Sequence, residues 1–205
     1  QQQISTVGAG RTDSGVHALG QVVNFHTDKS LASPQWAPAL NSYLPNDITV
    51  VFSEQVPDNF HARFSAKGKI YDYRMTLQPS RPALDRHRVW HFPHPLDLEA
   101  MRHAMSSFWG SHDFTSFRGS HSNTFNPMCT ISHISLNSDS PVLSIRIRGD
   151  RFLKQMVRAM VGTLIEVGQL KRNPNTIPDI LQAKDRRAAG RTAPPHGLHL
   201  IQVLY

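Results

Sequence analysis

The chain has 205 residues, 39% hydrophobic and 18% charged, which is enough apolar material for a proper core and too little charge for wholesale disorder. Lys and Arg number 22 against 15 Asp and Glu, a net charge of +7 and a pI near 10.0, so polyanionic partners are favoured. The lone cysteine, Cys129, excludes an intrachain disulfide and a cysteine-based zinc site, and no apolar run is long enough to span a bilayer. The N-terminal Gln1-Gln2-Gln3-Ile4 lacks the basic and apolar regions of a signal peptide, so a soluble cytosolic protein is expected.

In chain order, Ile4 to Val7 reads as a short strand entering the turn Gly8-Ala9-Gly10, and Gln21 to Thr27 as a second strand. Ser33 to Leu44 reads as a helix with Ser33 as N-cap and Pro34 at its first position, although Pro38 lies one turn further in. Asp47 to Val56 is strand-like. Lys69 to Leu77 alternates, with Tyr71, Tyr73, Met75 and Leu77 on one face. Pro79 and Pro82 mark an interlobe linker or a long hairpin loop. Val89 to Phe92 is a short strand, and Asp97 to Trp109 an amphipathic helix with Leu98, Met101, Met105 and Phe108 on one stripe. Ile131 to Leu136 and Val142 to Arg148 read as paired strands. Phe152 to Val167 is the clearest helix, Pro178 to Lys184 a shorter one, and Leu198 to Leu204 a final strand. Strands outnumber helices, so the fold class is α+β with a largely antiparallel sheet.

One stretch carries chemistry. Gly8 to His26 reads GAGRTDSGVHALGQVVNFH and puts a single carboxylate, Asp13, in a Gly-rich turn beside Arg11 and between two strands. A carboxylate exposed there beside a cation can serve as nucleophile or base. The plainer alternative is that Asp13 or Ser14 only caps a helical turn over Gly15 to Leu19. Other motif readings fail on detail. A dinucleotide loop needs glycine where Asp13 stands. A nucleophile elbow needs glycine where Thr12 stands. An aspartic protease needs a second Asp-Ser/Thr-Gly triplet, and none is present. Asp13 and His17 at i, i+4 are too few to define a metal site.

The stretch GRTDSGVHA followed by GQVVNFHT resembles the signature of the TruA family of pseudouridine synthases, of the form GRTDxGVHAxGQVxxF. Arg11, Thr12, Asp13, Gly15, Val16, His17, Ala18, Gly20, Gln21, Val22 and Phe25 match it. The resemblance continues through FHARFSAKGKIYDYRM, DFTSFR, FLKQMVRAMVGTLIEVG and PPHGLHL, in order along nearly the whole chain. The family also carries a strand and helix ahead of the motif. Here a strand begins almost at residue 1, so the chain is expected to be a fragment with an incomplete first lobe.

The resemblance implies two α/β lobes around the sheet, residues 1–66 with Asp13 and residues 67–205, with the active-site cleft between them. It implies isomerisation of uridine to pseudouridine at positions 38 to 40 of the tRNA anticodon arm, with no cofactor and no metal, by a cytoplasmic homodimer with tRNA lying across both subunits. Asp13 would be the nucleophile. Arg158, which matches the family's arginine partner, would hold it ionised and oriented, and Tyr71 would lie against the target base. Leu198 would line the uracil pocket, and Arg11, Arg63 and Arg118 would contact RNA. Without the resemblance, Tyr71 and Leu198 are ordinary strand residues, and Arg63 and Arg118 suit salt bridges as well as phosphate. Arg151, Lys154 and Arg158 are spaced to share one helical face, with Gly162 leaving room on it for something to approach. Lys184, Arg186, Arg187 and Arg191 form a basic cluster facing phosphate or water, and His91 and His94 read as structural. Two other functions remain open at this level: a non-catalytic RNA-binding module, and a metal-dependent hydrolase using Asp13 and nearby histidines.

Overall fold

The computed structural model describes residues 3–120, 125–138 and 141–205. It divides into two compact units, residues 1–9 with 22–65, and residues 10–21 with 66–205. The Asp13 segment therefore packs with the larger unit, whereas the lobes inferred from sequence placed it in the first.

In the smaller unit, β1 (Thr6–Gly8) pairs antiparallel with β3 (Val23–Phe25), and α1 (Trp36–Asn41) follows a 3-10 turn over Ser33–Gln35. The expected cap is not formed: Ala32 holds the capping position and Ser33 lies inside the turn. The strand expected over Asp47 to Val56 is not formed either. The amide of Asn41 takes the place of a partner strand there. Its Nδ2 donates to the Val50 carbonyl at 2.8 Å and its Oδ1 accepts the Val50 N–H at 2.7 Å. The Val50 backbone is satisfied without a ladder.

The larger unit is a seven-stranded sheet with helices on one face. Its order is β2 (His17–Ala18), β9 (Leu198–Leu204), β4 (Gly68–Thr76), β8 (Val142–Gly149), β7 (Met128–Asn137) and β6 (Gly110–Asp113), with β5 (Trp90–His91) paired to β4. All pairings are antiparallel except β2–β9 and β4–β5. Since β5 runs parallel to β4, the Pro79–Pro82 stretch is a crossover loop within this unit, neither a hairpin loop nor an interlobe linker. The alternation of β4 and β8 is as the sequence requires. Tyr73, Met75, Leu143, Ile145 and Ile147 are buried in the core, while Arg146 and Arg148 are exposed on the far face beside the buried Asp72, whose Oδ2 meets Arg74 and Arg146.

Three helices accompany the sheet. In α2 (Leu98–Ser106) the Asp97 side chain caps the first turn, accepting the Ala100 N–H at 2.9 Å. In α3 (Met156–Gly168) eleven of thirteen residues are buried, so it is the core helix rather than a surface one. The shorter α4 (Ile177–Ala183) buries Ile177, Ile180 and Leu181.

The sequence pattern puts the start of α3 at Phe152, four residues too early. Gln155 sits at φ 60°, in the left-handed region, and breaks the helix there. Arg151 and Lys154 are therefore not on a helical face with Arg158. Nor is there room beside Gly162. A Cβ on Gly162 would lie 1.7 Å from the Arg191 carbonyl oxygen, so the approaching group is the chain's own backbone. Gly162→Ala is expected to cost more than the ~1–3 kcal/mol of ordinary overpacking, because a backbone atom cannot yield as a rotamer does. A melting temperature within a degree or two of the parent would refute the close approach.

Candidate active site

The segment 10–21 is an excursion closed at its base, where Gln21 Nε2 donates to the Gly10 carbonyl at 2.9 Å. Its tip is a tight turn. The Val16 N–H donates to the Asp13 carbonyl at 3.0 Å, and Gly15 takes φ +81° at the position where a type II turn needs a left-handed residue. The outgoing arm is β2, which joins the edge of β9 at His17↔His199 and Ala18↔Leu200. Gly20 then passes so close to β9 that a Cβ would lie 2.4 Å from the Ile201 carbonyl oxygen. No helix follows the turn, so the capping role considered for Asp13 and Ser14 is not what the fold uses. Two glycines and a strand edge fix the carboxylate in place.

Arg158 comes from the first turn of α3, 145 residues away in sequence. Its Nη1 donates to Asp13 Oδ2 at 2.6 Å, and its Nε donates to the Ala193 carbonyl at 2.8 Å. The two side chains are 12% and 28% exposed, so the pair is shielded yet still open to a substrate. A cation in a helix's first turn is opposed by the helix dipole, and the carboxylate offsets that.

Tyr71 lies on β4 within electrostatic reach of Asp13. Burial, and secondly the Asp13 charge, push its phenol up to about 12, so it stays a neutral O–H donor at ordinary pH. Phe152, released from the helix by the turn at Gln155, meets it edge to face at 5.1 Å between ring centroids. Leu198 is buried on β9 opposite Tyr73. Arg11 is exposed two residues before Asp13. His17 stacks on His199 at 4.9 Å and donates to the His87 carbonyl at 2.6 Å, while burial lowers the His199 imidazole below its usual range.

Asp13, Arg158 and Tyr71 are thus brought together. Arg63 lies in the smaller unit, its guanidinium 5.7 Å from the centroid of the Phe64 ring, and Arg118 ends the 3-10 turn Thr115–Phe117. The C-terminal basic cluster is largely engaged in holding its own loop. Lys184 pairs with Asp113 and Arg187 with Asp185, Arg186 donates to the Gly190 carbonyl and the Thr192 hydroxyl, and Arg191 lies over Trp90. Phe152 and Ala193 escaped the reading of the sequence. Phe152 read only as the first residue of a helix, and Ala193 acts through a backbone carbonyl that no residue type signals.

A family model described as tRNA pseudouridine synthase matches residues 1–65 and 104–205. A protein of Acetivibrio thermocellus named tRNA pseudouridine synthase A is 45% identical over 204 residues, covering 100% of this chain and 84% of that protein. Proteins of the same name from Geobacillus sp. (strain WCH70) and Bacillus subtilis (strain 168) are 45% and 43% identical, over 98% and 100% of this chain and 82% and 83% of theirs.

Proposed function

The chain belongs to the tRNA pseudouridine synthase family, and on that premise we propose that it isomerises uridine to pseudouridine at positions 38 to 40 of the tRNA anticodon arm, with Asp13 as nucleophile. The observation that carries the assignment is the half-shielded Asp13–Arg158 pair at 2.6 Å, with Tyr71 beside it. In the reaction the bond from ribose C1′ to uracil N1 breaks, the base turns, and C1′ rejoins at C5. C5 then gives up its hydrogen and N1 ends protonated. Arg158 holds the Asp13 carboxylate aimed throughout, through the bond from its Nη1 to Oδ2. Tyr71 offers a flat face to the base and a neutral hydroxyl as donor. Leu198 contributes the apolar wall. The target nucleotide must leave its stack to reach Asp13, at a cost of a few kcal/mol that RNA contacts offset.

Arg11, Arg63 and Arg118 are assigned to those contacts, and a homodimer is assigned to present them across one tRNA. The test is release of the C5 hydrogen from tRNA labelled at uracil C5, using substrates that keep a single uridine at position 38, 39 or 40. Release from uridines elsewhere and not from these would overturn the positional assignment. Sedimentation of the free protein at twice the chain mass is expected from the dimer, and the chain mass alone would refute it.

The rival reading as a metal-dependent hydrolase draws no support from this geometry. Among the described residues no three His, Cys, Asp or Glu side chains gather into a ligand set. Binding of tRNA is expected to be electrostatic and largely indifferent to base sequence, since the charge is +7 and mostly arginine. Log K should fall linearly with log[salt]. A flat salt response would remove charge as the basis of binding.

A further inference from the structure

Arg158 is held by more than Asp13. Residues 189–195 run back along α3 as a strap, and Ala193 is bonded to Arg158 on both sides. Its N–H donates to the Arg158 carbonyl at 3.0 Å, and its carbonyl accepts Arg158 Nε at 2.8 Å. The strap then continues towards the Asp13 turn. The Pro194 carbonyl accepts the Tyr73 hydroxyl at 2.8 Å, and the Pro195 ring lies against Gly15, where a Cβ would be 3.2 Å from Pro195 Cγ. One short segment therefore braces both ends of the ion pair.

Further along α3, two side chains clamp the strap. Thr163 is buried. Its Oγ accepts the Gly190 N–H at 2.9 Å and donates to the Ala159 carbonyl at 2.8 Å. Glu166 accepts the Arg191 N–H on Oε1 at 3.1 Å and the Arg172 guanidinium on Oε2 at 3.0 Å. Gly190 has no space for a side chain, since a Cβ would lie 2.7 Å from Glu166 Oε1 and 2.8 Å from Thr163 Cα. Neither Thr163 nor Glu166 bonds to the Asp13 or Arg158 side chain, whose partners are each other and the Ala193 carbonyl. Each bonds a backbone N–H two or three residues before Ala193.

We propose that Thr163 and Glu166 are positioning residues for the reaction, acting through the strap 190–193 on the orientation of the Arg158 guanidinium and so on Asp13. The proposal rests on Asp13 and Arg158 being the reacting pair. An arginine side chain has four rotatable bonds before its planar head, and a second fixed acceptor on Nε is what selects one orientation. A displacement of about an ångström at such a pair is enough to cost one to two powers of ten in rate.

The test is single-turnover release of the C5 hydrogen, corrected to the tRNA-binding-competent fraction, beside tRNA affinity. Thr163→Ala and Glu166→Ala should each slow the chemical step about tenfold with affinity unchanged. Thr163→Ser and Glu166→Gln keep the acceptor oxygen and should restore most of the rate. In an Arg158→Lys background, which has no Nε for Ala193 to hold, the same alanine substitutions should cost little more. Equal losses in both backgrounds, no rescue by the conservative variants, or a loss seen only in melting temperature or affinity would overturn the proposal. The parent and Asp13→Asn run alongside separate its failure from failure of the assigned activity. If the parent turns over and Asp13→Asn does not, the activity stands whatever the strap variants do.

Discussion

Asp13→Asn is expected to abolish pseudouridine formation while leaving tRNA binding nearly unchanged. Asparagine preserves size and the turn closed by the Val16 N–H, because that bond uses the Asp13 backbone carbonyl and not its side chain. Gly15, not residue 13, supplies the left-handed conformation. What is lost is the negative charge and the nucleophilic oxygen that Arg158 holds at 2.6 Å. No other acidic residue lies between Gln1 and Thr27 to replace it. Removing a nucleophile acts on the scale of about 10⁴-fold or more. A residue that only capped a helix would give the opposite result, because asparagine caps about as well as aspartate. The measurement is C5-hydrogen release beside a filter-binding curve. Near-normal release from the variant would end the catalytic assignment.

Arg158→Lys should impair the chemical step by about 10²-fold and affinity far less, the pattern expected when a reacting group is misplaced and not when a contact to phosphate is lost. Arg158 makes two bonds in different directions, Nη1 to Asp13 and Nε to the Ala193 carbonyl. A lysine keeps the charge but offers one compact ammonium, which cannot hold both acceptors in one plane. At 12% exposure the side chain also has little water to replace a missing partner. Single-turnover rates and affinities for both proteins decide the matter. If the loss falls mainly on affinity, Arg158 is a phosphate contact and the pairing with Asp13 carries no catalytic weight.

Period and composition were enough for much of the larger unit. β4, β8, β9, α2 and α4 fall within a residue or three of where alternation and helical spacing place them, because each lays an apolar stripe on a shared core. Asp13 was legible for a different reason. A lone carboxylate in a Gly-rich turn inside a long and specific motif is a local signal, and the turn that holds it closes over four residues.

Long-range packing decided the rest. The Asp13–Arg158 pairing spans 145 residues, and only the family resemblance pointed to it, because no spacing rule reaches across that distance. The start of α3 was misplaced because Leu153 continues the apolar stripe although Gln155 takes a left-handed conformation, which the apolar pattern does not register. Gly162 suggested open space, and the tertiary structure fills it with the backbone of Arg191. The strand expected over Asp47 to Val56 gave way to two hydrogen bonds from one side-chain amide, Asn41. For Gly162 and Asn41 the sequence by itself determined only that one residue is conformationally free and the other polar. Only the fold determined which backbone groups meet them, because every residue carries the same N–H and C=O and neighbours far along the chain choose among them.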